Sequence, residues 1–345
     1  MVKPIIELRN IDRDFSAGRQ QVVKVLRDVS LEVIPGEILC LVGESGCGKT
    51  TTGKILAGLL RPSRGEVMFQ GQPVTRLSPE EQKTFRRSTQ IIHQDPYASL
   101  NPAHTIYNTL SFPLFQHGLV KTRDQARARV ADLLKLVDLT PVGDVIDKYP
   151  HQLSGGQRQR VSIARSLTTS PSVIIADEAV SMVDVSIRIG LLNMMLKMKE
   201  ELGLTLVFIT HDLALARHLA WEGRIAVMYL GRIVEIGPTQ EITANPTHPY
   251  TRVLMSAIPE ADPELARAKR HIQLRSEDIP SLLKLPTGCA FHPRCPWFQA
   301  DLCEVRVPPL EFIPGGKHQV KAACLRVQAG DVLDLDGTGA LVKGD

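Results

Sequence analysis

The sequence of 345 residues predicts an α/β fold. A mostly parallel sheet forms its core, accompanied by an antiparallel β subdomain, an α-helical subdomain and a small cysteine-rich C-terminal metal or cluster domain. Three observations lead there. Short apolar runs alternate with helical stretches through most of the chain, the pattern of buried parallel strands with crossover helices. One such run, Ile38-Leu39-Cys40-Leu41-Val42, feeds a glycine-rich loop that opens a helix. Four of the 6 cysteines crowd into the last quarter of the chain.

The elements follow in order. Residues 4–12 and 23–33 read as antiparallel strands joined through Ser16-Ala17-Gly18-Arg19. The start of the chain, with its alternating Ile5-Ile6-Glu7-Leu8, reads as a first strand rather than a signal peptide. After the glycine-rich loop come a helix over about 48–60, a turn at Pro62–Gly65, and short strands at 66–69 and 91–94. Asp95–Pro102 is too rich in Pro and Asn to be regular. A helix-rich section then covers about 95–165, where Ala126, Val130, Leu133, Leu134 and Val137 keep helical spacing. Val173–Ala176 is a buried strand ending in Asp177-Glu178. A helix over 184–202 follows, then strands at 204–209, 225–229 and 233–236.

Composition shifts near Pro246, which divides the chain into a nucleotide-binding domain (1–245) and an extension (246–345). Within the extension we expect a short helix at about 250–257, a linker over 259–286, the cysteine-rich segment, and a poorly ordered acidic tail from 326. Hydrophobic content of 43% and charged content of 23% are those of a soluble globular protein. The net charge of +4 lacks the basic footprint of a nucleic-acid binder. No apolar run approaches the roughly 20 residues of a membrane span.

Gly43-Glu44-Ser45-Gly46-Cys47-Gly48-Lys49-Thr50 fits the phosphate-binding pattern G-x-x-x-x-G-K-[ST], here between a strand and a helix. Backbone N–H groups of such a loop point at phosphate oxygens. Lys49 reaches the β- and γ-phosphates, and the Thr50 hydroxyl serves Mg²⁺. Asp177 completes the Mg²⁺ shell, and Glu178 orients or deprotonates the attacking water. Leu153-Ser154-Gly155-Gly156-Gln157 before a helical run repeats the same physics as a second phosphate-binding candidate. Phe15 could stack on a base through its ring face or serve as a strand-edge core residue, and the residues alone leave both open.

The order of these features, from phosphate loop through Gln94, Leu-Ser-Gly-Gly-Gln and Asp-Glu to His211, resembles the ATP-binding cassette (ABC) ATPases. The resemblance implies an ATPase that binds ATP through Phe15, Gly43, Glu44, Ser45, Gly46, Cys47, Gly48, Lys49, Thr50 and Thr51. It implies Mg²⁺ at Thr50, Gln94 and Asp177, with Glu178 as catalytic base, His211 as γ-phosphate switch and Gln94 as γ-phosphate sensor. Ser154, Gly155, Gly156 and Gln157 would contact the ATP of an opposite subunit, and Asp184 would lie at that interface. Two departures stand out: Ala179-Val180 follow Glu178 where the family has Pro and then Thr or Val, and Met182 replaces a small residue.

Gln94–Pro102, Pro246–Thr251 and the late cysteines resemble the ATPase subunits of dipeptide/oligopeptide importers. That likeness implies a peripheral subunit on the cytoplasmic face of the membrane. Its partners would be a second, non-identical ABC ATPase, two integral membrane permease subunits that dock behind Gln94, and an extracytoplasmic substrate-binding protein, with no nucleic acid. The same machine could import sugars or metal chelates. A soluble ABC ATPase that does not transport is a further alternative, but the chain has one cassette and no room for long coiled-coil insertions.

Cys289, Cys295, Cys303 and Cys324 are spaced C-x5-C-x7-C-x20-C, with Pro296 after the second. Four thiolates suit a [4Fe–4S] cluster or tetrahedral Zn²⁺. The absence of two C-x-x-C knuckles and the Cys-Pro pair favour iron–sulfur, and related importer ATPases carry a [4Fe–4S] cluster there. A reducing cytosol argues against disulfides, and the segment holds too little apolar content to order itself unaided. His292 and His318 are substitute ligands or ordinary surface or core histidines.

Overall fold

A computed structural model describes residues 2–18, 21–258, 272–313, 319–333 and 341–342. The first half of the expected linker (259–271), His318 and half of the acidic tail (334–340 and 343–345) lie outside the described residues.

Two sheets organise the described residues. The smaller is antiparallel, in the order β2 (Gln21–Val33), β1 (Ile6–Ala17), β4 (Arg64–Phe69), β5 (Gln72–Pro73). The larger has eight strands, which include β3 (Ile38–Val42), β6 (Thr89–Ile92), β7 (Val173–Asp177), β8 (Thr205–Thr210), β9 (Arg224–Tyr229) and β10 (Arg232–Pro238). Its remaining members are β11 (Glu311–Phe312) and β12 (Lys321–Ala322). The order is β11-β12-β10-β9-β3-β8-β7-β6. The five strands from β9 to β6 are parallel, and β10, β12 and β11 add an antiparallel edge.

The centre of this sheet explains the sequence. β3, β7 and β8 are buried at every position, as continuous apolar runs covered on both faces must be. Each fully buried Val, Leu, Ile or Phe contributes roughly 1.5–3 kcal/mol. The helical section packs Val130, Leu133 and Leu134 of the helix Arg123–Leu136 into the same core, as their spacing predicts.

The extension departs from expectation. Its strand β12 pairs with β10, so it continues the main sheet. Its segment is ordered by apolar packing: Phe291 and Trp297 are buried, and Phe291 meets the rings of Tyr229 and Tyr250 at centroid distances of 5.2 and 5.4 Å. The segment is thus ordered against the main sheet rather than by its own apolar content alone. The described start of the tail, residues 326–333, packs against this segment. Arg326 is buried, donates to the Trp297 carbonyl at 2.9 Å and pairs with Asp331 at 2.7 Å.

The helix Pro249–Ser256 is capped by His248, whose Nδ1 accepts the Tyr250 N–H at 3.0 Å. Complete burial pushes the His248 imidazole down to about 3. The unfolded chain therefore binds a proton near pH 6.5 that the folded chain refuses until about pH 3. Stability from this group is full above pH 6.5 and lost as pH falls through that window. Relative to the parent, His248→Asn should retain the cap and flatten the acid limb between pH 6.5 and 4.5. Urea midpoints measured across that range check this, and parallel curves for the two proteins would refute it.

Candidate nucleotide site

The site is assembled where the parallel strands end. β3 delivers the loop Gly43–Gly48, and the helix Lys49–Leu56 leaves it. Glycine is required at two points. A Cβ on Gly43 would lie 2.2 Å from the Met228 carbonyl oxygen. Gly48 sits at φ 107°, and a Cβ there would lie 2.6 Å from Leu26. The loop is thus pressed against β2 and β9. Lys49 is buried and folds back over the loop, donating to the carbonyls of Gly43 and Glu44 at 2.7 and 2.9 Å.

β7 delivers the acidic pair. The Thr50 hydroxyl donates to Asp177 Oδ1 at 3.0 Å. Burial raises the Asp177 carboxyl above its ordinary value, and the Thr50 hydrogen bond opposes that rise. A cation at this pair would favour the ionised form.

Glu178 takes a left-handed backbone, φ 47°, unusual for a residue with a side chain. The turn is held from both sides: the Glu178 N–H donates to the Ile209 carbonyl at 3.0 Å, and its carbonyl accepts the Ser181 N–H and hydroxyl at 3.0 and 2.8 Å. Its carboxylate meets Gln94 Nε2 at 2.8 Å and His211 Nδ1 at 3.3 Å. Two side chains from distant parts of the sequence, Gln94 and His211, thus converge on the Glu178 carboxylate.

The second loop forms a helix start. Ser154 Oγ accepts the Gln157 N–H at 3.2 Å, and Gln157 Oε1 accepts the Ser154 N–H at 3.0 Å, a reciprocal capping box on the helix Gly155–Leu167. Among the described residues no hydrogen bond joins this loop to residues 43–50 or to Glu178. Asp184, at the start of the helix Val185–Leu202, makes no side-chain cap and is exposed. Arg158 lies over the ring of exposed Tyr97 at 3.9 Å, which ties the signature helix to the segment behind Gln94.

Phe15 is 37% exposed, with the Arg13 guanidinium 4.5 Å from its ring centroid. That exposure corrects the core-residue reading, and Arg13 covers one face of the ring. The departures from the family pattern separate cleanly: Ala179 and Val180 are buried, whereas Met182 is 57% exposed. Ser181, Tyr250 and Arg294 escaped the sequence reading as site residues. Ser181 carried only its place beside Glu178 as a signal, and Tyr250 only its place in Pro246–Thr251.

The four late cysteines are free and line one small cavity with His292 and Trp297. Burial pushes the Cys289 thiol up to about 12 and raises Cys295 and Cys324 as well, so without a cation these three are neutral. Among the described residues no group of three His, Cys, Asp or Glu side chains is arranged to hold a metal ion. The four thiols thus share a cavity within an apolar-packed segment.

Residues 26–181 match the ABC transporter family, and residues 234–303 match the oligopeptide/dipeptide transporter C-terminal region. A Sinorhizobium fredii protein assigned to peptide ABC transport (y4tS) is 45% identical over 86% of this chain and 81% of its own length. The glutathione import ATP-binding protein GsiA of Shigella dysenteriae is 46% identical over 82% of this chain and 45% of its own. The ATP-binding cassette MJ0796, solved as a dimer bound to ADP and phosphate, superposes with a TM-score of 0.60 at 30% identity. That match covers 68% of this chain and 98% of the solved one. On this sequence likeness, with the fold and the converging strand ends beneath it, the chain belongs to the ATP-binding subunits of ABC transporters and is an ABC ATPase.

Proposed function

We propose that the chain is the energy-coupling subunit of an importer of di- and oligopeptides. The observation that carries the catalytic part is the Glu178 carboxylate held between Gln94 and His211, beside the Thr50–Asp177 pair. In this reading Lys49 leaves the loop carbonyls for the β- and γ-phosphates, and Phe15 stacks on adenine. Thr50, Gln94 and Asp177 hold Mg²⁺, which would neutralise phosphate charge. Glu178 takes the proton of the attacking water, while Gln94 and His211 orient that water and the γ-phosphate. Ser154, Gly155, Gly156 and Gln157 supply the N-terminus of their helix to the nucleotide of a second cassette, with Asp184 at the shared face. Their separation from the chain's own phosphate loop supports that division of labour.

The cargo reading rests on the match of residues 234–303 and on relatives whose names say peptide or glutathione, itself a short peptide. No helix among the described residues is long and apolar enough to cross a membrane. In this reading, which rests on the peptide-importer relatives, two permease subunits and an extracytoplasmic binding protein complete the machine, with this chain peripheral on the cytoplasmic face. A second ATPase of different sequence fills the other half of the cassette pair.

We also assign a [4Fe–4S] cluster to Cys289, Cys295, Cys303 and Cys324, on the cavity they share. Four thiols on one cavity would suit such a cluster, and tetrahedral Zn²⁺ is the alternative occupant. Bound there, the cluster would bring negative thiolates into a buried site.

Two experiments follow. In a strain lacking this chain, the parent should restore uptake of short peptides. Glu178→Gln should not, although the purified variant still binds ATP and its turnover falls at least about a hundredfold. Uptake restored by Glu178→Gln would overturn the base, and uptake of sugars or metal chelates alone would overturn the cargo. For the cysteines, Cys303→Ser should bleach the visible absorption of anaerobically purified protein and lower its iron content while ATP binding persists. Iron unchanged by that substitution would remove the cluster.

A further inference from the structure

We infer that the extension acts on the phosphate loop itself, and that Arg294 with Tyr250 positions that loop for nucleotide. The inference rests on the loop being the nucleotide site; it needs neither the cargo nor the cluster.

Arg294 lies 250 positions beyond Glu44, yet its Nη1 donates to both Glu44 carboxylate oxygens, at 3.0 and 2.9 Å. It is 5% exposed and also reaches the Tyr229 hydroxyl at 3.4 Å. The Tyr250 hydroxyl accepts the Glu44 backbone N–H at 3.0 Å. Glu44 is thus held through its side chain and its N–H by residues beyond the last strand of the parallel core. The platform beneath is aromatic: Tyr229 and Tyr250 lie 4.7 Å apart, each against Phe291, and the Arg294 N–H donates to the Phe291 carbonyl at 3.0 Å.

Two physical consequences make this more than a fold contact. First, Glu44 places a carboxylate in a loop that must cradle a polyanion, which is unfavourable unless the charge is neutralised. Arg294 supplies that neutralisation from a nearly buried position where solvent screening is weak. Second, Lys49 ties together the Gly43 and Glu44 carbonyls. Once Lys49 turns to phosphate, those ties are lost at the moment when the loop must be most ordered. The Arg294 tie engages the Glu44 side chain and leaves the loop N–H groups alone, so it persists when Lys49 turns away, and Tyr250 adds a second anchor at the Glu44 N–H. Loss of this brace should weaken ATP binding and spare the chemical step, because Gln94, Glu178 and His211 arrive on other strand ends.

The test is equilibrium ATP binding, with KM and kcat, on the full-length chain. Arg294→Gln should weaken ATP binding and raise KM about tenfold, within the usual range of coupling between sites, with kcat little changed. Arg294→Lys should recover part of the loss. In a Glu44→Gln background Arg294→Gln should have no further effect, since the residue acts through that carboxylate. Tyr250→Phe keeps the ring and removes only the hydrogen bond, so it carries the test if Arg294→Gln fails to fold; it too should raise KM. Lys49→Ala should abolish binding, and normal binding in that variant would sink the loop assignment and this inference together. With Lys49→Ala inactive, unchanged KM in Arg294→Gln and Tyr250→Phe would overturn the brace alone. So would an undiminished Arg294→Gln effect in the Glu44→Gln background, or a fall in kcat at constant KM.

Discussion

The constraint on which the structure depends is the complete burial of β3, β7 and β8. A strand covered on both faces tolerates little polarity along its length, so polar chemistry is driven to its ends. In a parallel sheet all carboxyl ends fall on one edge, and ligands bind there. The phosphate loop, Gln94, Asp177-Glu178 and His211 follow β3, β6, β7 and β8 in turn. Far apart in sequence, they become neighbours because one sheet aligns them.

That arrangement has a local cost at Glu178. A left-handed backbone at a residue with a side chain is sparsely populated, and it persists here because Ile209 and Ser181 hold the turn. Buried Ala179 and Val180 complete it by packing rather than by the restricted backbone of proline. The departures from the family pattern therefore leave the carboxylate in place. Met182, exposed beside this turn, bears on what the face meets rather than on how it folds.

Much of this was legible in the sequence because local rules and global fold agree. The apolar runs gave the buried strands, and the glycines of residues 43–48 announced a loop whose tightness the Met228 carbonyl and Leu26 confirm. Helical spacing in residues 122–139 located Val130 and Leu133 correctly. What was illegible is what depends on long-range packing. Nothing in the composition of 286–325 says that Phe291 lands on Tyr229 and Tyr250, or that Arg294 reaches Glu44. The exposure of Phe15 was undecidable for the same reason, since a strand of alternating character does not say which face its last residues show. Nor does composition show that Arg326 and Asp331 pair at the start of the tail, where charge that looks like solvation is in fact a bridge.

The claim at the centre of this account is that an ATPase built on these strand ends drives a membrane importer, and one measurement tests it most directly. The chain is purified from its native membranes in mild detergent, and the proteins that accompany it are identified by mass spectrometry. The account predicts two multi-span subunits, a second ATP-binding cassette and an extracytoplasmic binding protein carrying a peptide. A chain recovered without membrane partners, or accompanied only by ribosomes or nucleic acid, would leave the ATP chemistry standing and contradict the importer.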